Sequence, residues 1–121
     1  MVFETLYYST VNGNCPVKEF LDGLNYKIQQ KFFARQDRLL AAYGEKLPPP
    51  HIEHLDDGIW EFKINLGNLE YRFLFFRITH HVVYVHAFEK KTQKVSRHEI
   101  ELAMTRRRDF CEQLERGEIE L

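Results

Sequence analysis

Basic side chains are concentrated in the second half of the chain, at Lys63, Arg72, Lys90, Lys91, Lys94 and Arg97, and four of them lie in or directly after segments with strand patterns. Lys63 and Arg72 lie in two segments with strand patterns, and Lys90 and Lys91 lie where a third such segment ends. Antiparallel pairing of these segments can bring the four side chains together. Fixed cations bind phosphate and stabilise the negative charge that develops when a phosphodiester reacts. Such a group of cations could therefore bind phosphate at the surface of a sheet.

Arg72 is unusual among these residues because it interrupts an apolar and aromatic run at residues 69–78. A buried arginine costs free energy unless it is paired or reaches an anion. Two alternatives remain open from the sequence. Arg72 is either the structural partner of Glu61, Glu70 or Glu89, or it is part of a phosphate site.

The charge of the chain is unevenly distributed, although the formal net charge is only −1. Residues 1–58 carry 6 basic and 8 acidic side chains, residues 59–108 carry 10 and 5, and residues 109–121 carry 1 and 5. The three segments therefore have net charges of −2, +5 and −4. A basic segment of this kind fits a local polyanion site, and it also fits an ordinary solvated surface.

Several classes of enzyme are excluded because the sequence has no GxSxG, P-loop, GxGxxG or HExxH motif. Cys15 and Cys111 are far apart and form no CxxC pair, which argues against a thiolate zinc site. Two pairs of histidines are close in sequence: His51 with His54, and His80 with His81. Neither spacing comes with the carboxylate or cysteine neighbours of a metal site. We expect no metal and no cofactor, and we interpret the histidines as loop and surface residues.

The length and composition predict a single domain spanning residues 1–121. Hydrophobic residues make up 44% of the chain and aromatic residues 14%, which is enough to form one core. The chain begins without a basic region followed by an apolar stretch, and no window approaches the roughly 18 apolar residues of a membrane span. We expect a cytoplasmic protein with no membrane segment.

The first half of the chain has helical spacing, up to the proline run at residues 47–50, which predicts a loop. Pro16 is suited to a first helical turn, and a short apolar pattern follows it at Val17, Phe20, Leu21 and Leu24. A longer helix is predicted between the cap Asn25 and the stop Gly44. Its apolar stripe consists of Ile28, Phe32, Phe33, Leu39, Leu40 and Tyr43. Together the two segments predict a helical hairpin.

The second half has the period of strands. Residues 59–66 alternate, with Trp60 and Phe62 on one face and Glu61 and Lys63 on a solvated one. A turn at Gly67-Asn68 leads into a central strand at residues 69–78, and a further strand is predicted at residues 82–89. Residues 3–8 could add an edge strand.

A last helix is predicted from Ser96, because Ser96 and Glu99 have the spacing of a capping box. Its apolar stripe would be Ile100, Met104, Arg107, Cys111 and Leu114. The fold class is therefore α+β: a small antiparallel sheet, made of a meander and an N-terminal edge strand, with an N-terminal helical hairpin and a C-terminal helix. We expect the helices to pack on one face of the sheet.

Three segments carry a resemblance to a known family. They are GIWEFKI at residues 58–64, EYRFLFF at residues 70–76 and HAFEKKTQK at residues 86–94, followed by EIELA at residues 99–103 with Arg106 and Arg107. In combination they resemble the phage-derived Gp49-like, HigB-type branch of the RelE/ParE toxin superfamily. The resemblance spans nearly the whole chain.

The resemblance implies a RelE-like toxin that cuts messenger RNA on the translating ribosome. It also implies a helix-turn-helix antitoxin, usually encoded by the adjacent gene, as the neutralising partner. The residues that match the family's catalytic positions are Lys63, Arg72, Lys90 and Lys91, and those expected to contact RNA are Gln93, Lys94 and Arg97. Many relatives also carry a tyrosine or histidine near the C-terminus, where this chain offers only His98.

Cleavage without a metal uses the 2′-hydroxyl as nucleophile, so the protein must move protons and stabilise the crowded phosphate. Arg72 and Lys91 suit the phosphate. A lysine among other cations has a lowered pKa, which makes Lys63 or Lys90 a conceivable acid or base. The same scaffold is compatible with a non-enzymatic ParE-like toxin that binds a protein such as gyrase, or with a phage accessory protein without toxicity.

Overall fold

The computed structural model describes residues 3–42, 52–90 and 95–121. In chain order the elements are β1 (Glu4–Tyr7), α1 (Pro16–Asp22), α2 (Tyr26–Ala42), β2 (Ile52–Asp56), β3 (Ile59–Leu66), β4 (Leu69–Ile78), β5 (His81–Glu89) and α3 (Arg97–Glu115). None of the helices in the described part of the chain has the length and hydropathy needed to cross a membrane. The fold is α+β, as predicted.

One sheet of five strands, in the order β1-β5-β4-β3-β2, forms the centre of the molecule. Strands β2 to β5 form an antiparallel meander, and β1 pairs in parallel with β5 at the edge. The predicted turn at Gly67-Asn68 is present, with Gly67 at a φ of 60° that favours glycine. Strand β2 was not predicted, and it extends the predicted meander by one strand.

The α1 and α2 helices cover one face of the sheet and enclose an aromatic core. Phe32 from α2 packs against rings of β3, β4 and β5, with its ring centroid 4.7 Å from that of Phe73 and 5.4 Å from that of Tyr84. These three side chains are essentially inaccessible to solvent. Phe33, which was predicted to share the stripe, is instead 48% exposed, because helical geometry turns it about 100° from Phe32.

Helix α3 covers the opposite face, so the prediction that all helices pack on one face is wrong. The second face of the sheet is also apolar over much of its length, and it needs a cover of its own. Its buried residues are Tyr8, Ile59, Leu74, Phe76, Val83 and Val85, packed with Ala103 and Phe110 of α3. The molecule is therefore a sheet between two helical layers.

The buried face of α3 is shifted by one residue toward the N-terminus relative to the predicted stripe. Its buried residues are Ala103, Phe110 and Gln113, whereas Met104 and Cys111 are only partly buried. The start of the helix is as predicted, because the Ser96 hydroxyl accepts a hydrogen bond from the Glu99 amide at 3.4 Å. The start of α2 is also confirmed, since Asn25 Oδ1 accepts from the Lys27 amide at 2.8 Å. The stop Gly44, its neighbour Tyr43 and the loop at residues 47–50 lie outside the described residues.

The turn between β4 and β5 places a histidine inside the molecule. His81 begins β5 and is only 2% exposed, so its interpretation as a loop or surface residue is wrong. It is covered because β1 pairs with β5 and places Glu4 opposite His81. His51 lies outside the described residues.

Candidate functional site

Two of the predicted basic residues are neighbours on the α3 side of the sheet. Lys63 of β3 and Arg72 of β4 are register partners, and Arg72 is also the partner of Phe88 on β5. On an antiparallel sheet such partners have their side chains on the same face, about 5 Å apart. Helix α2, on the opposite face of the sheet, also contacts β3, because Arg35 donates a hydrogen bond to the Lys63 carbonyl at 2.9 Å. The strand register therefore brings Lys63 and Arg72 together, as predicted.

Lys90 lies at the same end of the sheet, directly after β5. Its amide donates to the Glu70 carbonyl at 2.8 Å, which fixes the backbone of Lys90 against β4. Its side chain is close enough to Arg72 and Glu61 for their charges to affect its pKa. Lys90 is also unusually buried for a lysine, with 7% of the residue exposed.

A cleft of about 310 Å³ opens at this end of the sheet, between the strands and the start of α3. We call it the sheet cleft, and it is lined by Glu53, Leu55, Glu61, Lys63, Glu70, Arg72, Val95 and Ile100. Its charged lining sets it apart from the aromatic core on the other face. A phosphate group with part of a ribose fits a space of this size.

Arg72 is held in the sheet cleft by two carboxylates. Its guanidinium forms an ion pair with Glu61, and a second one with Glu70 at 3.1 Å. Arg72 is 4% exposed and Glu61 is 1% exposed, so the solvated face predicted for β3 is closed at Glu61. Of the two alternatives left open by the sequence, the structure therefore shows the first: Arg72 is the partner of Glu61 and Glu70.

The pairing of Arg72 is incomplete. Within the described residues, Arg72 Nε and Glu61 Oε2 are buried and have no hydrogen-bond partner. A buried polar atom without a partner costs about 1–3 kcal/mol. Arg72 therefore keeps one N–H donor that the described residues leave unused, on a nitrogen that is itself buried.

Burial shifts the pKa of two groups at this end of the sheet. The pKa of Glu61 is raised by burial, although the charges of Arg72 and Lys63 act against the rise. The pKa of Lys90 is lowered by burial and, to a smaller extent, by the charge of Arg72. A lysine with a lowered pKa is better suited to accept and return a proton near neutral pH.

The other predicted residues have different positions. Lys91, Gln93 and Lys94 lie outside the described residues. Arg97 begins α3, where it forms ion pairs with Asp56 and, at 3.3 Å, with Glu101. Its side chain remains 55% exposed. Arg97 therefore lies near the sheet cleft, at the junction of β2 and α3, rather than inside it.

The sequence interpretation missed His86, which links β5 to α3. Its Nδ1 is 3.3 Å from the Arg106 guanidinium, and its Nε2 contacts the Glu99 carboxylate. Because arginine only donates, Nδ1 is the acceptor, and Nε2 carries the proton that is donated to Glu99. Its ring stacks on that of Phe88 at 5.1 Å, and Phe88 is the register partner of Arg72. His86 is thus connected to the sheet cleft through Phe88.

A β-bulge explains why His86 was missed. The pairing of β4 with β5 shifts so that Leu74 faces His86 while Phe75 faces Tyr84, which leaves Val85 as an extra residue. A bulge of one residue moves the following side chains to the other face of a sheet. The alternation H-x-F-x-K at residues 86–90 shows which side chains share a face. No feature of the sequence indicates the bulge that turns them toward α3.

Comparison with known proteins supports an assignment to a family. The model of the phage-derived Gp49-like proteins matches residues 19–108, which include the described cations of the sheet cleft. Comparison with curated protein sequences gives no match. The five-stranded sheet with three helices agrees with a small RelE-like fold. The chain belongs to the phage-derived Gp49-like family, which is associated with the toxins of toxin–antitoxin systems.

Proposed function

We propose that this protein is a toxin of the HigB-type branch of the RelE/ParE superfamily and that it cuts messenger RNA on the ribosome. The observation that carries the proposal is the buried Arg72 with an unpartnered Nε, beside Lys63 in an open cleft. A structural ion pair explains the position of Arg72, but it does not explain why a second cation and an open cleft lie next to it. A phosphodiester that takes the place of Glu70 beside Arg72 would use both cations.

In this mechanism the described cations have separate roles. Arg72 binds the scissile phosphate through Nε and the part of its guanidinium that faces Glu70, whose side chain is 30% exposed and can give way. Lys63 adds charge beside Arg72 and stabilises the crowded phosphorane. Lys90, whose pKa is lowered, accepts the proton of the 2′-hydroxyl or returns one to the departing 5′-oxygen. No metal or cofactor takes part.

The remaining residues of the proposed site follow Lys90 in the sequence. Lys91 completes the basic set directly after Lys90, and Gln93 and Lys94 continue the same segment toward the start of α3. Arg97 exchanges part of its pairing with Asp56 and Glu101 for an RNA phosphate. In this proposal these residues contact the RNA.

The partner and the location of the protein follow from the proposed function. A helix-turn-helix antitoxin, encoded by the adjacent gene, would inhibit the toxin by covering the sheet cleft with a complementary acidic surface. The substrate is messenger RNA on the ribosome, so the protein would act in the cytoplasm as a single domain of residues 1–121.

The test is induction of the toxin without antitoxin, followed by mapping of messenger RNA ends. The wild type is expected to arrest growth and to produce new ends within open reading frames. Lys90→Met should lower cleavage about 100-fold or more, the usual loss for a general acid or base. Lys27→Met is the matched control, because Lys27 is an exposed lysine on α2. It should cleave like the wild type.

Three results would overturn the proposal. Growth arrest without new RNA ends, accompanied by DNA damage signalling, would favour a ParE-like protein target. Unchanged cleavage by a folded Lys90→Met protein would remove the assigned site. High expression without growth arrest would indicate a phage accessory protein. Thermal unfolding of each purified variant separates loss of function from loss of the fold.

A further inference from the structure

Three side chains with metal-binding atoms meet where β1 begins and where the chain turns from β4 into β5. They are Glu4, His80 and His81, and their ligand atoms all lie within 4.8 Å of one another. This is the only such group of three among residues 3–42, 52–90 and 95–121. It lies at the beginning of β5, whereas the sheet cleft lies at the other end of that strand. At about 3.3 Å per residue the two are separated by about 25 Å.

The backbone holds two of the three ligands in place. Glu4 and His81 are register partners on the parallel strands β1 and β5, and the Glu4 amide donates to the His80 carbonyl at 2.9 Å. His81 Nε2 and Glu4 Oε2 are 3.3 Å apart. Two ligands at 2.0–2.1 Å from a tetrahedral zinc ion are about 3.3 Å apart. The separation of Nε2 and Oε2 therefore already fits one edge of a zinc tetrahedron.

The other nitrogen of His81 has the partner that a metal ligand needs. His81 Nδ1 is 3.0 Å from the Thr79 hydroxyl, which can accept its proton. Histidines that bind metals almost always donate their second ring N–H in this way, which leaves the remaining nitrogen unprotonated for the metal. Thr79 has a φ of 50°, a left-handed conformation that is rare for a β-branched residue. The strained turn thus places the hydroxyl beside the buried imidazole.

His80 can supply the third ligand from the solvent side. Its ring centroid lies 4.1 Å from that of His81, and the residue is partly exposed. The side chain of Glu4 is 60% exposed. A small rotation of either side chain can therefore shorten the remaining ligand distances without moving the sheet. Two imidazoles and one carboxylate favour zinc over magnesium or calcium, which prefer oxygen ligands.

We propose that Glu4, His80 and His81 bind one Zn²⁺ ion, with water in the fourth position. The ion would fasten β1, an edge strand of four residues, to the turn between β4 and β5. This site is independent of the proposed ribonuclease function. The same geometry also suits an ion pair between a protonated His81 and Glu4 without any metal. The two possibilities differ in whether added zinc stabilises the protein.

The test uses the full chain without a histidine tag, freed of metal with a chelator and then titrated with ZnCl₂. We expect binding of one ion per chain and a rise in the thermal unfolding temperature that MgCl₂ does not produce. Glu4→Gln and His80→Gln should each weaken zinc binding at least about 10-fold, and the double variant about 100-fold or more. His98→Gln, which changes an exposed histidine on α3, should bind like the wild type.

X-ray absorption of the zinc-loaded protein should show nitrogen and oxygen ligands near 2.0–2.1 Å and no sulfur at about 2.3 Å. Sulfur ligation, or loss of binding in Cys15→Ser, would move the metal to a thiol and overturn the proposal. Equal affinity in the wild type and the double variant would do the same, as would the absence of any zinc effect. Glu4 and His80 are not buried, so their variants are expected to fold, which circular dichroism checks.

Discussion

The two faces of the central sheet use the same strands in opposite ways. On β4, the side chains of Tyr71, Phe73 and Phe75 pack under α1 and α2, whereas Leu74 and Phe76 pack under α3. Arg72 belongs to the α3 face, but it lies at the end of the sheet where that cover gives way to the sheet cleft. One face is therefore closed by aromatic packing along its length, and the other ends in a charged opening.

The two faces differ in how their interiors are built. The aromatic face has rings 4.7–5.8 Å apart around Phe32, Phe62 and Tyr84. Within the part of the chain that the structure describes, both faces contain buried polar atoms without a partner, the Tyr84 hydroxyl on the aromatic face and atoms of Glu61 and Arg72 in the sheet cleft. Those in the sheet cleft belong to a buried ion pair. Local rules are usually broken where function requires it. The aromatic face should thus determine whether the protein folds, and the sheet cleft what the folded protein does.

The largest effect is expected from truncation of the aromatic face. Phe32→Ala removes a fully buried ring and should lower the free energy of unfolding by about 3–5 kcal/mol. Phe33→Ala is the matched control, since it removes the same ring from the next position of α2, where it is 48% exposed. It should cost less than about 1 kcal/mol. Urea denaturation measures both, and equal losses would contradict the assignment of the two positions.

A smaller effect is expected from the ion pair in the sheet cleft. Arg72→Met leaves Glu61 buried without its main partner and should cost about 3 kcal/mol. The cost is limited because burial already raises the pKa of Glu61, which can then take up a proton. Glu61→Leu combined with Arg72→Met should restore most of the stability, since apolar residues can replace a buried pair.

A double-mutant cycle measured by urea denaturation near neutral pH tests this expectation. A double variant whose loss of stability equals the sum of the two single losses would show that the pair does not act as a unit. The double variant should also be inactive while folded, which separates the sheet cleft from the aromatic face. A double variant with wild-type cleavage would remove Arg72 from the proposed mechanism.

Much of the fold was predictable because the period of the sequence changes after the prolines. The bounds of β3 and β4 coincide with the predicted strands, and the caps Asn25 and Ser96 begin their helices as expected. Strand β2 was missed because Ile52–Asp56 is short, polar and partly exposed. Its pairing depends on β3, which provides a neighbour that local sequence does not show.

The candidate site was predictable only in part. The spacing of Lys63 and Arg72 indicated a shared face, and their register confirms it. The burial of Glu61 was missed because it depends on α3 covering a face that alternation alone marks as solvated. His86 was missed because the bulge at Val85 decides which face it joins. Tertiary contacts, not local patterns, decide these positions.

The smallest effect is expected at His86, which contacts α3 and is connected to the sheet cleft through Phe88. Burial lowers the pKa of His86, against the opposing effect of Glu99, and the positive Arg106 and the nearby His98 add to the lowering. As the pH falls below 6.5, His86 therefore binds a proton in the unfolded chain more readily than in the folded protein. The contribution of His86 to stability should be complete above that pH and should decline as the pH falls through the folded pKa.

His86→Gln removes this contribution. The difference in unfolding free energy between the wild type and His86→Gln should be constant above about pH 7 and should shrink toward about pH 5. The same difference for Phe33→Ala should not change with pH, because no titrating group is removed. A His86 difference that grows in acid would mean that Glu99 outweighs burial. The link between β5 and α3 would then be an ion pair, and the sheet cleft would be bordered by a charged rather than a neutral histidine.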